Sequence, residues 1–118
     1  MKWILSVTGG LGLLLFLGCG HDTVGPHGDL VGGACVSDRD CQATCITGSS
    51  HYPGGMCTVP CDSDLDCPPD TVCVDDDGGV CAVWCGDLGD CAGFGGAFTC
   101  NSVGRKGGSG DTQVCRVD

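Results

Sequence analysis

Residues 61–85 read CDSDLDCPPDTVCVDDDGGVCAVWC, and their cysteine spacing recurs on either side. The stretch opens with a Cys-x5-Cys turn, Cys61 to Cys67. It continues with Thr71-Val72-Cys73-Val74, an Asp75-Asp76-Asp77-Gly78-Gly79 loop, and Val80-Cys81-Ala82-Val83-Trp84. Two β-branched runs around a short Asp/Gly loop predict a β-hairpin. Upstream, Cys35, Cys41, Cys45 and Cys57 form the same kind of quartet, opening with CVSDRDC, with Thr44–Thr47 and Met56–Val59 as the strands. Downstream, Cys85, Cys91, Cys100 and Cys115 open with CGDLGDC, with strands predicted around Phe98–Cys100 and Gln113–Val117. The predicted fold is small and disulfide-rich: three short tandem cysteine-rich repeats, each a turn plus a β-hairpin, with little other regular structure.

An isolated hairpin is marginal in water, and this chain has few large apolar residues to help it. The 42% hydrophobic content includes an apolar N-terminus and the cysteines themselves. Beyond Cys19 the larger side chains are Trp84, Phe94, Phe98, Tyr52 and scattered Val and Leu. Disulfides must therefore carry the fold, each loop closure contributing on the order of 3 kcal/mol. That places the chain in an oxidising compartment. Four cysteines allow three pairings. First-with-third and second-with-fourth is favoured, because it ties the Cys-x5-Cys turn to both strands, whereas the short Cys41–Cys45 spacing leaves little slack for a direct bridge.

The thirteenth cysteine, Cys19, stands apart. Lys2 precedes an apolar run from Ile4 to Leu17, 14 residues long, the length of a signal-peptide core and too short for a permanent span. The run closes with Phe16-Leu17-Gly18-Cys19, which resembles the lipobox of bacterial lipoproteins. The resemblance implies a signal peptide over 1–18, lipidation of Cys19, and a membrane anchor. Gly20 after the cysteine is not the Asp that retains enteric lipoproteins in the inner membrane, so outer-membrane or cell-surface placement is implied. The competing reading is ordinary cleavage after Gly18-x-Gly20, leaving His21 first. Residues 19–34, rich in glycine and broken by Pro26, read as the lipidated cysteine and a flexible tether with a span of roughly 20 Å. The repeats then occupy 35–60, 61–84 and 85–118.

The spacing Cys-x2-Asp-x-Asp-Cys followed by a cysteine resembles the N-terminal cysteine-rich region of the Dickkopf family and similar repeats in bacterial lipoproteins. The likeness covers residues 35 to about 91 and rests on the cysteines with Asp38, Asp40, Asp64 and Asp66. The third repeat departs from it, with Leu88 at the first Asp position. What it implies is a scaffold class, not a receptor-ligand role.

All 15 acidic residues are Asp, against 5 basic ones, for a net charge of −10. Nucleic-acid binding, which needs a basic patch, is excluded. A Cys-x2-Cys zinc pattern is absent. Asp62-x-Asp64-x-Asp66 imitates the start of an EF-hand loop, but Cys67 and Cys73 stand where Gly and Glu are required. The alternatives are a weak calcium site there or at Asp75/Asp76/Asp77, and local backbone capping by Asp40, Asp66 and Asp90. Neither a metal site nor another cofactor is expected. His21, His27 and His51 lie in loops that orient no nucleophile, so an enzyme is not expected. The expected function is a non-enzymatic, lipid-anchored, extracytoplasmic module with an unidentified protein or glycan partner. The alternative is a small inhibitor of a secreted protease, offering His51-Tyr52-Pro53-Gly54-Gly55 or Thr58-Val59-Pro60 to a cleft.

Overall fold

A computed structural model of the chain describes residues 23–86 and 88–118. The leader, Cys19 and the first residues of the tether lie outside the described residues. Three antiparallel hairpins follow one another: β1 (Thr44–Ile46) with β2 (Met56–Thr58), β3 (Thr71–Val74) with β4 (Val80–Val83), and β5 (Thr99–Gly104) with β6 (Asp111–Arg116). Each is preceded by a 3-10 segment: Asp38–Asp40 and Asp64–Asp66 lie inside their Cys-x5-Cys turns, while Leu88–Phe94 starts inside the third and runs past Cys91. The third hairpin is longer than its flanking residues suggest. Asn101, Ser102 and Val103 continue the ladder opposite Val114, Gln113 and Thr112.

In every hairpin the third and fourth cysteines face each other in register: Cys45 with Cys57, Cys73 with Cys81, Cys100 with Cys115. They bond not to each other but back to the turn. The disulfides are Cys35–Cys45 and Cys41–Cys57, Cys61–Cys73 and Cys67–Cys81, Cys85–Cys100 and Cys91–Cys115. Each turn is thus fastened to both strands of its own hairpin.

The residues before each first cysteine pair through isolated bridges with the hairpin they lead into, at Ala34–Met56, Pro60–Val80 and Trp84–Val114. Gly32 N–H bonds Cys57 O at 2.9 Å and Cys57 N–H bonds Gly33 O at 2.8 Å. In the second segment Cys61 N–H bonds Gly79 O and Cys81 N–H bonds Val59 O, both at 3.1 Å. In the third, Cys85 N–H bonds Gln113 O at 3.1 Å, and Trp84 bridges to Val114. Segment boundaries therefore overlap: Val59 and Pro60 serve the second sheet and Trp84 the third.

Residues 23–34 are not a free tether. Val24 bridges to Val31, Leu30 and Val31 donate to Thr23 O, and Val31 is fully buried against Cys61, Cys73 and Cys81. Gly28 and Gly33, which suggest flexibility by composition, serve close approach instead. A Cβ on Gly28 would crowd Thr23 O, and one on Gly33 would crowd Gly28 O. Gln42 fastens this loop to the first turn, its side chain donating to the Asp29 carboxylate at 2.7 Å.

The largest apolar cluster draws on all three segments: Tyr52 and Met56, then Val74, Val80 and Ala82, then Val114. The segments consequently share one core.

Candidate functional site

The acidic turns are built by their own carboxylates. Asp40 Oδ2 accepts from Val36 N–H at 2.9 Å and from Ser37 N–H at 3.2 Å. Asp66 Oδ2 accepts from Asp62 N–H at 2.8 Å and Asp90 Oδ2 from Gly86 N–H at 2.9 Å. All three reach backwards by four residues, closing the turn that a Cys-x5-Cys disulfide loop requires. The first Asp of each pair does a different job. Asp38 Oδ1 caps Cys45 N–H at 2.9 Å and Asp64 Oδ1 caps Cys73 N–H at 2.8 Å, on the outer edge of the hairpin.

The two candidate calcium clusters are committed elsewhere. Arg105 Nη1 sits 2.8 Å from Asp64 Oδ2, and Lys106 Nζ sits 3.2 Å from Asp62 Oδ1 and 2.7 Å from Gly78 O. Two of the chain's five basic residues thereby supply the charge that a bound cation would bring. Asp75, Asp76 and Asp77 do not converge: Asp75 is exposed, Asp76 points into the core, and Asp77 accepts from Ser49 Oγ at 2.9 Å. The cysteine sulfurs approach one another within 4.8 Å in each segment, as in Cys35/Cys41/Cys45. They belong to paired disulfides, which offer no thiolate to a metal.

A polar junction lies inside the shared core. Tyr52 Oη donates to Asp76 Oδ2 at 3.0 Å, while Arg116 Nη1 contacts both Asp76 oxygens at 2.9 Å. Tyr52 is 0% exposed and the Asp76 side chain 8%. Burial, reinforced by the Asp76 charge and its hydrogen bond, pushes the Tyr52 phenol far above its ordinary pKa. Each segment contributes one member. Composition hides the junction, because Tyr52 sits in a Ser/Gly/Pro stretch and Asp76 in the middle of an Asp run.

This placement takes Tyr52 and Thr58, one from each loop considered for protease inhibition, into the interior. Tyr52 is interior, and His51 Nδ1 lies 2.9 Å from Val117 O, holding the loop against the third segment. Thr58 is fully buried, with its hydroxyl donating to Cys81 O at 2.7 Å, and Val59 is a strand partner of Cys81. Of the two loops, Pro53, Gly54 and Pro60 remain exposed.

A groove of 390 Å³ opens between the 23–34 loop and the first and third segments, lined by Pro26, His27, Asp40, Met56, Phe94 and Phe98 among others. Phe94 and Phe98 stack at 5.6 Å. Comparison of the chain with protein families, with curated proteins and with solved structures finds no match. The chain is a small disulfide-stabilised domain of three cysteine-paired hairpins, without an identifiable catalytic motif among the described residues.

Proposed function

We propose that this chain is a non-enzymatic binding or structural module, exported and held at a bacterial membrane by a lipid on Cys19. The observation that carries the reading is that twelve of the thirteen cysteines pair among themselves. Cys19 is left with no cysteine in the chain to bond, directly after an apolar run with a lipobox-like end. Six disulfides also require an oxidising compartment to form. The carboxylates that would suggest chemistry instead cap backbone N–H groups or pair with Arg105, Lys106 and Arg116. Of the expected tether, residues 23–34 are packed on the hairpins rather than spacing them from the membrane, which favours a position close to the lipid surface.

Expression in a bacterial host and mass analysis of the membrane fraction test the reading. An acylated Cys19 at the mature N-terminus is expected, and Cys19→Ser is expected to release the protein from membranes. An unmodified N-terminus at His21 would overturn the anchor.

A further inference from the structure

Among the described residues, the outer edge of β5 carries no partner at Cys100 and Ser102, whereas every other strand edge is bridged or capped at one position or more. In an antiparallel ladder, successive residues turn their N–H and C=O alternately toward the partner and away from it. Arg105 N–H bonds Gly110 O across the hairpin, and Gly104 O accepts from Asp75 N–H on the outside at 2.9 Å. The outward residues of β5 are therefore Gly104, Ser102 and Cys100. The outer edges of β2, β4 and β6 carry the lead-in residues. That of β3 carries Gly104–Lys106, with Lys106 N–H on Cys73 O at 3.1 Å, together with the Asp64 cap. The edge of β1 is three residues long and capped by Asp38. On β5, no group among the described residues bonds the outward N–H and C=O of Cys100 and Ser102.

One sequence position sets the third segment apart. Asp38 and Asp64, each third after the first cysteine of its segment, cap the N–H of the third cysteine. In the third segment that position is Leu88, and leucine has no acceptor. Among the described residues none caps the N–H of Cys100, the counterpart of Cys45 and Cys73. The strand Thr99-Cys100-Asn101-Ser102-Val103 also lacks the charged residues and prolines with which proteins usually blunt an edge. Ser102 is exposed.

We propose that the β5 edge binds an extended, basic segment of another protein by strand addition. The chain itself shows the preferred chemistry: where Gly104–Lys106 covers the edge of β3, it brings Arg105 to Asp64 and Lys106 to Asp62. The open stretch of β5 ends at Asp75, which is exposed and bonded through its N–H to Gly104 O. A second copy of the chain is a poor occupant, because two bodies with 15 Asp and 5 basic residues repel. The inference deepens the binding-module reading and does not depend on the lipid.

The test uses the full oxidised chain carrying Cys19→Ser and the synthetic peptide Thr-Val-Arg-Val-Lys-Val-Thr, followed by amide hydrogen exchange. Exchange at Cys100 and Ser102 is expected to slow at least about tenfold when the peptide is bound. The same peptide N-methylated at alternate residues, which lacks the edge donors, is expected to bind at least about tenfold more weakly. Leu88→Asp is expected to weaken binding by a similar factor, although the added negative charge would by itself attract a basic peptide. Ser102→Pro, which removes an outward donor without touching the ladder to β6, is expected to do the same. Disulfide mapping verifies that both variants are folded. Absence of binding, equal binding of the N-methylated peptide, or undiminished binding by both variants would overturn the inference. Protection of Cys100 and Ser102 without peptide, growing with protein concentration, would overturn it in favour of self-association. Binding mapped to other amides would sink the edge while leaving the binding-module reading intact.

Discussion

At the scale of single residues, the junction of Tyr52, Asp76 and Arg116 decides more than its size suggests. A buried carboxylate is tolerable only with its charge met, and here one guanidinium and one phenol meet it. Arg116→Ala leaves Asp76 buried without a cation, and we expect a loss of about 3–5 kcal/mol in denaturant unfolding with the disulfides intact. Tyr52→Phe removes one hydrogen bond to a charged group and should cost about 2 kcal/mol. The raised Tyr52 pKa also sets a pH dependence. In the unfolded chain this phenol ionises near 10, whereas in the folded protein it holds its proton beyond that pH. The contribution is thus fully present below pH 10 and is lost as pH rises further, at about 1.4 kcal/mol per pH unit. Tyr52 is the chain's one tyrosine, so ultraviolet absorbance of tyrosinate reads it directly. Native protein that ionises with an ordinary midpoint near 10 would show the phenol to be solvated.

At the scale of elements, what recurs in the sequence was readable and what is made by contact was not. The cysteine spacing and the β-branched runs around 75–79 locate the hairpins, because a repeated pattern states the same local structure three times. The lead-in strands escape such a reading. Gly32-Gly33, Val59-Pro60 and Trp84 share no residue type, since an edge pairing uses backbone groups that every residue carries. Tyr52 escapes it too, because Gly54 and Gly55 signal a loose tip while the tertiary fold draws the ring inside. The roles of Asp64 separate by substitution. Asp64→Asn keeps an oxygen for Cys73 N–H and forfeits a half-exposed ion pair, for about 0.5 kcal/mol. Asp64→Ala also uncaps the strand and should cost about 1–2 kcal/mol more. Equal losses in the two variants would show that the carboxylate acts through charge alone. Gly79→Ala tests the lead-in strand: Gly79 has φ of 112°, and a Cβ there would meet Cys61 O. A loss of about 3 kcal/mol is expected.

For the whole molecule, the shared core predicts that the three segments unfold together with disulfides intact, in one transition seen alike by tryptophan fluorescence and by far-ultraviolet dichroism. Excess chelator should leave the melting curve unchanged, since Arg105 and Lys106 already neutralise the Asp62 and Asp64 turn, and excess reductant should abolish it. A large shift with chelator alone would contradict that assignment. The overlap of segments carries one more consequence, which concerns time. Under the proposed export, a chain threaded across a membrane with its N-terminus leading presents 32–34 before the hairpin they pair with, so the first segment can close as soon as Cys57 emerges. The second cannot finish in the same way. The edge of β3 waits for Gly104–Lys106, and Asp76 waits for Arg116, forty residues behind it. Until residue 116 has crossed, the middle of the molecule holds an ionisable group with no counter-charge and a bare strand edge. Interrupted export should therefore yield a species whose first two disulfides are native while Asp76 is still hydrated, a partly oxidised and protease-sensitive intermediate that completion of the last hairpin resolves.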